Sequence, residues 1–408
     1  MAKRYEIAKD SVLSDCLVTP GVYKGVLERL ESFVTPFLSH LHKRAQQQNA
    51  RDYIKGLLSD TERKNVESIS YFHGFDRQLL QFFIGQAEWN DEPILDKLAK
   101  RIAKRIGEPD GILILDPTSF PKKGKESVGV QRQWCGRLGK TDNCQVAIFL
   151  AFASGVEFAL VDRKLFLPDE WIDDPARCHK AGIPEEHRVK KTRHQQSLEM
   201  LDGRGKEFPH AWVAGDDEMG KVPWFRRELR ARNESYMLAV PSNILVQDLD
   251  AKNEVCPKCG EEYDRPFVAI REWMKTVPKK KWKKIKVRQG HKGWLTVTLA
   301  KCHVRAKIEN EIGEEETLIV SKWREDTGKP RCDYYLSWNH EAIALEEYAR
   351  VIKQAYRIEE CFHRAKGECG LADYQVRNWR GWHHHIALSM LALWFLTEEL
   401  MNQKKAFR

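Results

Sequence analysis

Two aspartates close continuous apolar runs: Asp116 follows Ile112 to Leu115, and Asp216 ends the short run that starts at His210. A carboxylate at the end of a buried strand must be solvated, paired or bound to a cation, because an isolated charge is costly away from water. Alone, each aspartate reads more often as a loop cap or an ion-pair partner. Together, on strands lying side by side, they read as a metal site. A third acid is available between Ile358 and Lys366, where Glu359, Phe362, His363 and Lys366 share one helical face. By spacing alone an ordinary amphipathic helix is the better reading of that segment. If the three carboxylates converge, they suit two hard divalent cations, which take oxygen ligands and, ~3.5–4 Å apart, activate a nucleophile and stabilise a leaving group.

The cations are unevenly spread. Between Arg271 and Lys307 lie thirteen Lys or Arg and one acid, Glu272, a local net of +12 in a chain whose total is +9, so the remainder is net −3. Within this window Lys279, Lys280, Lys281, Lys283, Lys284, Lys286 and Arg288 interleave with Trp282 and Trp294, cations for phosphates and rings for bases. A charge run is commonly a solvated face; placed between the candidate acids, this one is expected to be a DNA-binding surface. Lys122, Lys123 and Lys125, shortly after Asp116, are placed to meet phosphates beside a scissile bond, with Arg132 and Lys140 as weaker members of the set.

Other motifs lead elsewhere. The stretch from Gly136 to Thr141 hints at a phosphate loop but has Trp134 where that pattern needs glycine, so no nucleotide cofactor is expected. Cys256 and Cys259 form half of a zinc site, yet Cys302, His303 and Cys332 offer no recognisable second half, and no stoichiometric zinc is expected. His383, His384 and His385 read as helix positions rather than a metal site, since consecutive helical residues point about 100° apart.

These residues must be positioned by a chain of 408 residues, 42% of them hydrophobic and 10% aromatic. That excludes a single small binding module and suits two or three domains. The ten cysteines show no disulfide spacing, the first residues form no apolar leader, and the apolar run from Ile386 to Leu396 is too short to span a bilayer. A cytoplasmic protein without a membrane partner is expected. Apolar spacing of three and four predicts helices over 19–106, and a breaker cluster at 107–111 ends them. Strands are expected over 112–116, 145–153 and 156–168, a helix over 185–201, and further strands over 210–216 and 235–242. This order, β-β-β-α-β-α-β, is that of an RNase H-like core. Charged, short alternating segments follow over 244–338, and helical periodicity resumes over 341–368 and 379–401. The expected class is α/β: an all-α N-terminal DNA-binding domain over 1–106, an RNase H-like core over 107–243, a basic β-rich insertion over 244–338, and a helical completion of the core over 339–408.

The segments that begin Asp116-PTSFPKKGK, Gly139-KTDNCQVAIF, Val213-AGDDEMG and Tyr356-RIEECFHRAKG resemble the DDE transposases of bacterial insertion sequences. They fall in the group with a β-strand insertion between its second Asp and its Glu, and the resemblance runs from about Asp52 to Leu396. It implies that Asp116, Asp216 and Glu359 are the catalytic acids and hold two Mg2+ ions, for which Mn2+ substitutes, and that Lys366 contacts transposon-end DNA. The chain departs from the group's pattern at Ile352 and Ala355, where a Tyr and an Arg are usual; Tyr356, Arg357 and Arg350 are the nearby substitutes. The resemblance further implies recognition of terminal inverted repeats, cut-and-paste movement through hairpin ends, strand transfer into target DNA, synapsis as a homodimer, and work at the bacterial nucleoid. Trp294 is the expected platform for a base turned out of the stack. Two rivals remain: a metal-dependent nuclease or resolvase without strand transfer, and a catalytically idle, transposase-derived DNA-binding regulator. Of the adjacent acids, Asp216 rather than Asp217 and Glu359 rather than Glu360 are expected to face the metals.

Overall fold

The computed structural model describes residues 24–252, 254–255, 262–290, 293–308, 311–324 and 330–406. Five helices open it: α1 (Val26–Leu38), α2 (Arg44–Leu57), α3 (Val66–His73), α4 (Arg77–Gly85) and α5 (Glu92–Ile106). Local signals start α3 and α4, because the side chains of Asn65 and Asp76 accept the backbone N–H of Ser68 and of Leu79. The apolar faces of these helices join the same buried cluster as the sheet that follows, and α2, α4 and α5 pack against the long C-terminal helix α14 (Trp379–Ala406). His385 ties that junction. Tyr53 donates to its Nδ1 at 2.8 Å and its Nε2–H reaches the Gly370 carbonyl at 3.0 Å, while burial pushes its pKa down to about 3 and keeps the ring neutral.

The strands β1 (Ile112–Pro121), β2 (Gln131–Cys135), β3 (Lys140–Ser154), β4 (Glu157–Leu165), β5 (Trp212–Gly215) and β6 (Tyr236–Ala239) follow. β1 is antiparallel to β3 and parallel to β5; β5 is parallel to β6, and β4 and β2 both flank β3. Ile112 to Leu115 and Cys144 to Ser154 are buried almost without interruption, as expected of strands covered on both faces. Helices α6 (Asp169–Ile172) and α7 (Pro175–Lys180) follow β4, and α10 (Pro223–Ala231) precedes β6; the covers are α8 (Arg193–Asp202) on β3, α12 (Leu345–Ala355) on β1 and β5, and α13 (Arg357–Glu368) on β4. Three local expectations change. β1 continues past Asp116 to Pro121. β2 has no apolar run to announce it, because Arg132 and Trp134 are exposed. The single helix expected over 341–368 starts at Leu345 and is interrupted at Tyr356.

Apart from one short two-stranded pair, the strands of the basic segment join the same sheet. The segment contains β7 (Leu245–Asp248), the short pair β8 (Glu254–Val255) and β9 (Glu262–Tyr263), β10 (Val268–Ala269), helix α11 (Ile270–Thr276), β11 (Lys283–Gly290), β12 (Gly293–Ile308), β13 (Glu311–Arg324) and β14 (Pro330–Trp338). β14 pairs with the outer side of β6, so the sheet runs on through β14, β13 and β12. The long strands alternate. Ile285, Val297, Leu299 and Ile319 join the main core, and Cys302, Val304, Leu318 and Val320 form a second core with Ile270 and Trp273 of α11. No helix among the described residues is long and apolar enough to cross a membrane.

A buried ionic seam fastens the N-terminal helices to the sheet. Arg163 of β4 pairs with Asp91 and, at 3.0 Å, with Glu92; Arg204 meets Asp162 and Glu92 at 2.6 Å and Asp96 at 2.7 Å. Burial alone would raise the Glu92 carboxyl, but the two guanidiniums hold it well below the usual carboxylate range. Its stabilisation is therefore present above the unfolded-state pKa of ~4.3 and lost as pH falls further. Thermal melts of wild type should drop more steeply below about pH 4 than those of Glu92→Gln. Arg163→Met leaves the mostly buried Asp91 without its guanidinium, while Asp162 keeps Arg204, and should cost about 3–5 kcal/mol in denaturant titrations.

Candidate active site

Parallel register sets the first two acids together. Leu115 of β1 pairs with Gly215 of β5, so Asp116 and Asp216 each stand one residue beyond a matched pair, on strands ~4.8 Å apart. β5 stops there. A Cβ on Gly215 would meet the Leu238 and Met219 side chains at 3.1 Å, and Asp216 caps the short helix α9 (Asp217–Gly220) by accepting the Met219 N–H at 3.1 Å. Asp217 is exposed, and Glu218 is held by the Arg193 guanidinium at 2.7 Å.

The break at Tyr356 delivers the third acid. It places Glu359 and Glu360 in the first turn of α13, and they part company: Glu360 pairs with Arg357 at 2.5 Å, whereas Glu359 is exposed and its carboxylate makes no hydrogen bond or ion pair among the described residues. Seven residues on, Lys366 donates from Nζ to Thr118 Oγ1 at 2.7 Å, so one face of α13 lies along β1 just past Asp116.

The electrostatics report this convergence. Burial, then the charges of Asp216 and Glu359, lifts the Asp116 carboxyl well above its ordinary range, and Lys366 opposes the shift. Asp216 is pushed up to about 7 by burial, with Glu218 and Asp217 adding to it against the backbone hydrogen bond from Met219. Burial and the neighbouring Arg137 lower Lys366, while Asp116 and Glu359 pull it back up. Two half-buried aspartates and an exposed glutamate whose charges repel, with an all-oxygen donor set, are what a hard divalent cation relieves, so these residues fit one.

A second group of potential ligands, Asp248, Asp250 and Cys302, has atoms all within 4.8 Å of one another, a closeness that the three converging acids do not share. Its acceptors already have donors: Trp273 Nε1 and the Asp250 N–H on Asp248, and His303 Nδ1 on Asp250. The half-site Cys256 and Cys259 lies outside the described residues.

The expected DNA contacts fall into distinct places. Lys123, Lys125, Arg132 and Lys140 are exposed, Lys140 pairing with Asp142 at 3.0 Å. Lys122 sits 3.6 Å from the centre of the Tyr374 ring, and burial lowers its pKa to about 8. Lys279, Lys280, Lys281, Lys283, Lys284 and Lys286 are exposed on or beside β11, which pairs with β12 and packs against α12, the helix that leads into Glu359. Trp282 is covered by Lys322 at 3.4 Å from its ring centre. Arg288 and Trp294 lie on β11 and β12, and their side chains fall outside the described residues. Arg350 is engaged by Glu347 at 2.7 Å, while Tyr356 is 66% exposed. Sequence reasoning missed Thr118 and Arg137. Arg137 was legible only as part of a rejected nucleotide loop, and that stretch turns out to be the turn of the β2–β3 hairpin.

Against known proteins, residues 36–301 match the family model described as DDE superfamily endonuclease, a span that includes Asp116 and Asp216 and ends before Glu359. Over 199 residues, 48% of this chain, it is 36% identical to a probable transposase for insertion sequence element IS701 from Microchaete diplosiphon; the chain spans about half the length, 49%, of that relative. Among solved structures it is similar to a piggyBac transposase synaptic complex with hairpin DNA, at a TM-score of 0.44 and 9% identity, covering 93% of this chain and 74% of that one. Since the family model spans well over half of the sequence, Asp116 and Asp216 included, the chain belongs to the DDE superfamily endonucleases.

Proposed function

We propose that this protein is a cut-and-paste DNA transposase that binds the terminal inverted repeats of its element, cleaves there, and joins the freed 3′ ends to target DNA. The observation that carries the reading is the convergence of Asp116, Asp216 and Glu359 from three distant stretches of chain on the β1–β5 edge. The sheet order β4, β3, β1, β5, β6, with β1, β5 and β6 parallel, supports an RNase H-like core over 107–243 completed by 339–408. In this reading 1–106 is a helical DNA-binding domain, 244–338 is a basic insertion, and the enzyme works as a homodimer on bacterial DNA.

Each residue then has a task. Asp116, Asp216 and Glu359 hold Mg2+, which when bound polarises the attacking and leaving oxygens of a phosphodiester. Asp216 is oriented by the Met219 N–H that one of its oxygens accepts. Lys366, steadied by Thr118, presents a cation to the phosphate beside the scissile bond, and Arg357 keeps Glu360 out of the site. The exposed lysines of β11 grip the duplex, joined by the exposed Lys123 and Lys125.

The test uses duplexes carrying the DNA that flanks the gene. Binding should survive chelation, while cleavage requires Mg2+ or Mn2+ and yields ends that join a target plasmid. Cleavage without joining would indicate a nuclease or resolvase, and binding without cleavage an idle regulator. Changing Lys279, Lys280, Lys281, Lys283 and Lys284 to Ala should flatten the salt dependence of binding, each lost phosphate contact lowering the slope of log K on log salt by ~0.9. An unchanged slope would make that run a solvated face.

A further inference from the structure

Where the N-terminal helices meet β4 and the start of α14 lies a cavity of about 370 Å³, within the size range of small-ligand pockets, and none of the three acids lines it. Its walls carry rings: Trp89 stacks on His384 with ring centres 3.5 Å apart, and Trp379 lies 4.2 Å from His383 and 5.0 Å from His187. Both ring nitrogens of His384 face backbone carbonyls, of Ile84 at 3.0 Å and Trp89 at 2.9 Å. His383 differs. Its Nδ1–H donates to the Trp379 carbonyl at 2.9 Å, and burial, helped by the charge of Arg163, pushes its pKa down to about 3 and keeps the ring neutral. Its Nε2 lone pair is then an acceptor without a partner among the described residues. On the rim, the exposed Glu186 carboxylate also makes no hydrogen bond or ion pair among the described residues.

The charge around the cavity is negative. In the ionic seam at its base, two guanidiniums, Arg163 and Arg204, face four carboxylates, Asp91, Glu92, Asp96 and Asp162. Lys164 and Lys191 share Glu199, and Arg380 stands 3.6 Å from Glu88, so the rim adds no net cation once Glu186 is counted.

We propose that this cavity is a binding site for a guanidinium group, whose N–H groups meet the His383 Nε2 lone pair and whose charge is matched by Glu186. A neutral ligand would leave that charge unmatched, and an anion would oppose it. Among cations, the flat and weakly hydrated guanidinium suits a slot walled by Trp379 and His187, whereas a compact ammonium holds its water more strongly. The group comes either from a free small molecule or from an arginine side chain of another protein. The inference is independent of the DNA-cleaving function, and its test contains no DNA.

The full chain is titrated calorimetrically, without divalent ions, with butylguanidinium, butylammonium and butylurea. Butylguanidinium should bind once per chain and at least roughly tenfold more tightly than the other two, since the ammonium lacks the plane and the urea lacks the charge. Glu186→Gln should weaken that binding roughly tenfold, the scale of one charge-assisted contact, while Glu185→Gln, at an exposed neighbour that does not line the cavity, should leave it unchanged. Because both side chains are exposed, neither change should alter the melting temperature. A blocked Gly-Arg-Gly peptide decides the source: binding at least as tight as that of butylguanidinium assigns the site to a protein side chain, and weaker binding assigns it to a free small molecule. No binding of butylguanidinium, equal binding of butylammonium or butylurea, or an unchanged affinity in Glu186→Gln would overturn the proposal.

Discussion

Asp116→Asn is expected to abolish DNA cleavage while making the metal-free protein more stable. Asparagine keeps the shape of aspartate and removes its charge, so folding and end binding should be retained. The lost ligand should cost at least roughly a thousandfold in rate, about 4 kcal/mol of barrier. The gain in stability follows from burial of the charge and from repulsion. Burial and the charges of Asp216 and Glu359 raise the Asp116 carboxyl, and Asp216 itself is pushed to about 7. An acid whose folded pKa exceeds its unfolded value of ~3.9 binds more protons when folded, so its presence erodes stability as pH rises between the two. Without divalent ions, wild type and Asp116→Asn should therefore melt together near pH 4. They should diverge as pH rises to 8, the variant melting higher by roughly 2 °C per kcal/mol of relieved repulsion. Mg2+ should close the gap by raising wild type alone. Calorimetry over that pH range with and without Mg2+ measures it, and a variant less stable than wild type at pH 8 in EDTA would refute the repulsion.

The second large effect separates neighbours. Asp216→Asn and Glu359→Gln should eliminate cleavage with binding intact, whereas Asp217→Asn and Glu360→Gln should leave substantial activity. Asp217 is exposed beyond the strand end, and Glu360 is occupied by Arg357. A helical step of about 100° keeps Glu360 from the position of Glu359. Glu360→Gln should lose a little activity, because it frees Arg357. The four rates, measured on one duplex, give the answer; a reversal within either pair would shift that element's assignment by one residue.

What the sequence reveals here follows from burial. A strand covered on both faces reads as a continuous apolar run, so the runs of β1 and β5 and the acids that close those runs are legible, and so is the hairpin at Gly155 between β3 and β4. β2 is not, because an edge strand with Arg132 and Trp134 turned outward leaves no apolar signature. The pairing of β14 with β6 depends on a partner about a hundred residues away, which no local pattern encodes; hence the segment 244–338 reads as a separate unit although its strands extend the same sheet. The break at Tyr356 is equally silent, since apolar spacing continues across it from α12 into α13. It nonetheless decides the site, by putting Glu359 in a first turn. The shared face of Glu359 and Lys366 is visible in their spacing. That Lys122 packs on Tyr374, and that Arg137 is the cation beside Lys366, depends on how loops close over the sheet.

The central claim is that one divalent-metal centre is built from Asp116, Asp216 and Glu359, and Fe2+ affinity cleavage tests it most directly. Loaded with Fe2+ in place of Mg2+ and given ascorbate and peroxide, the protein should be cut by locally generated hydroxyl radicals within a few residues of 116, 216 and 359. Excess Mg2+ should protect all three positions, and Asp116→Asn should lose all three cuts together. Cuts confined to the neighbourhood of Asp248, Asp250 and Cys302, or cuts at 116 and 216 that leave 359 untouched, would contradict the account.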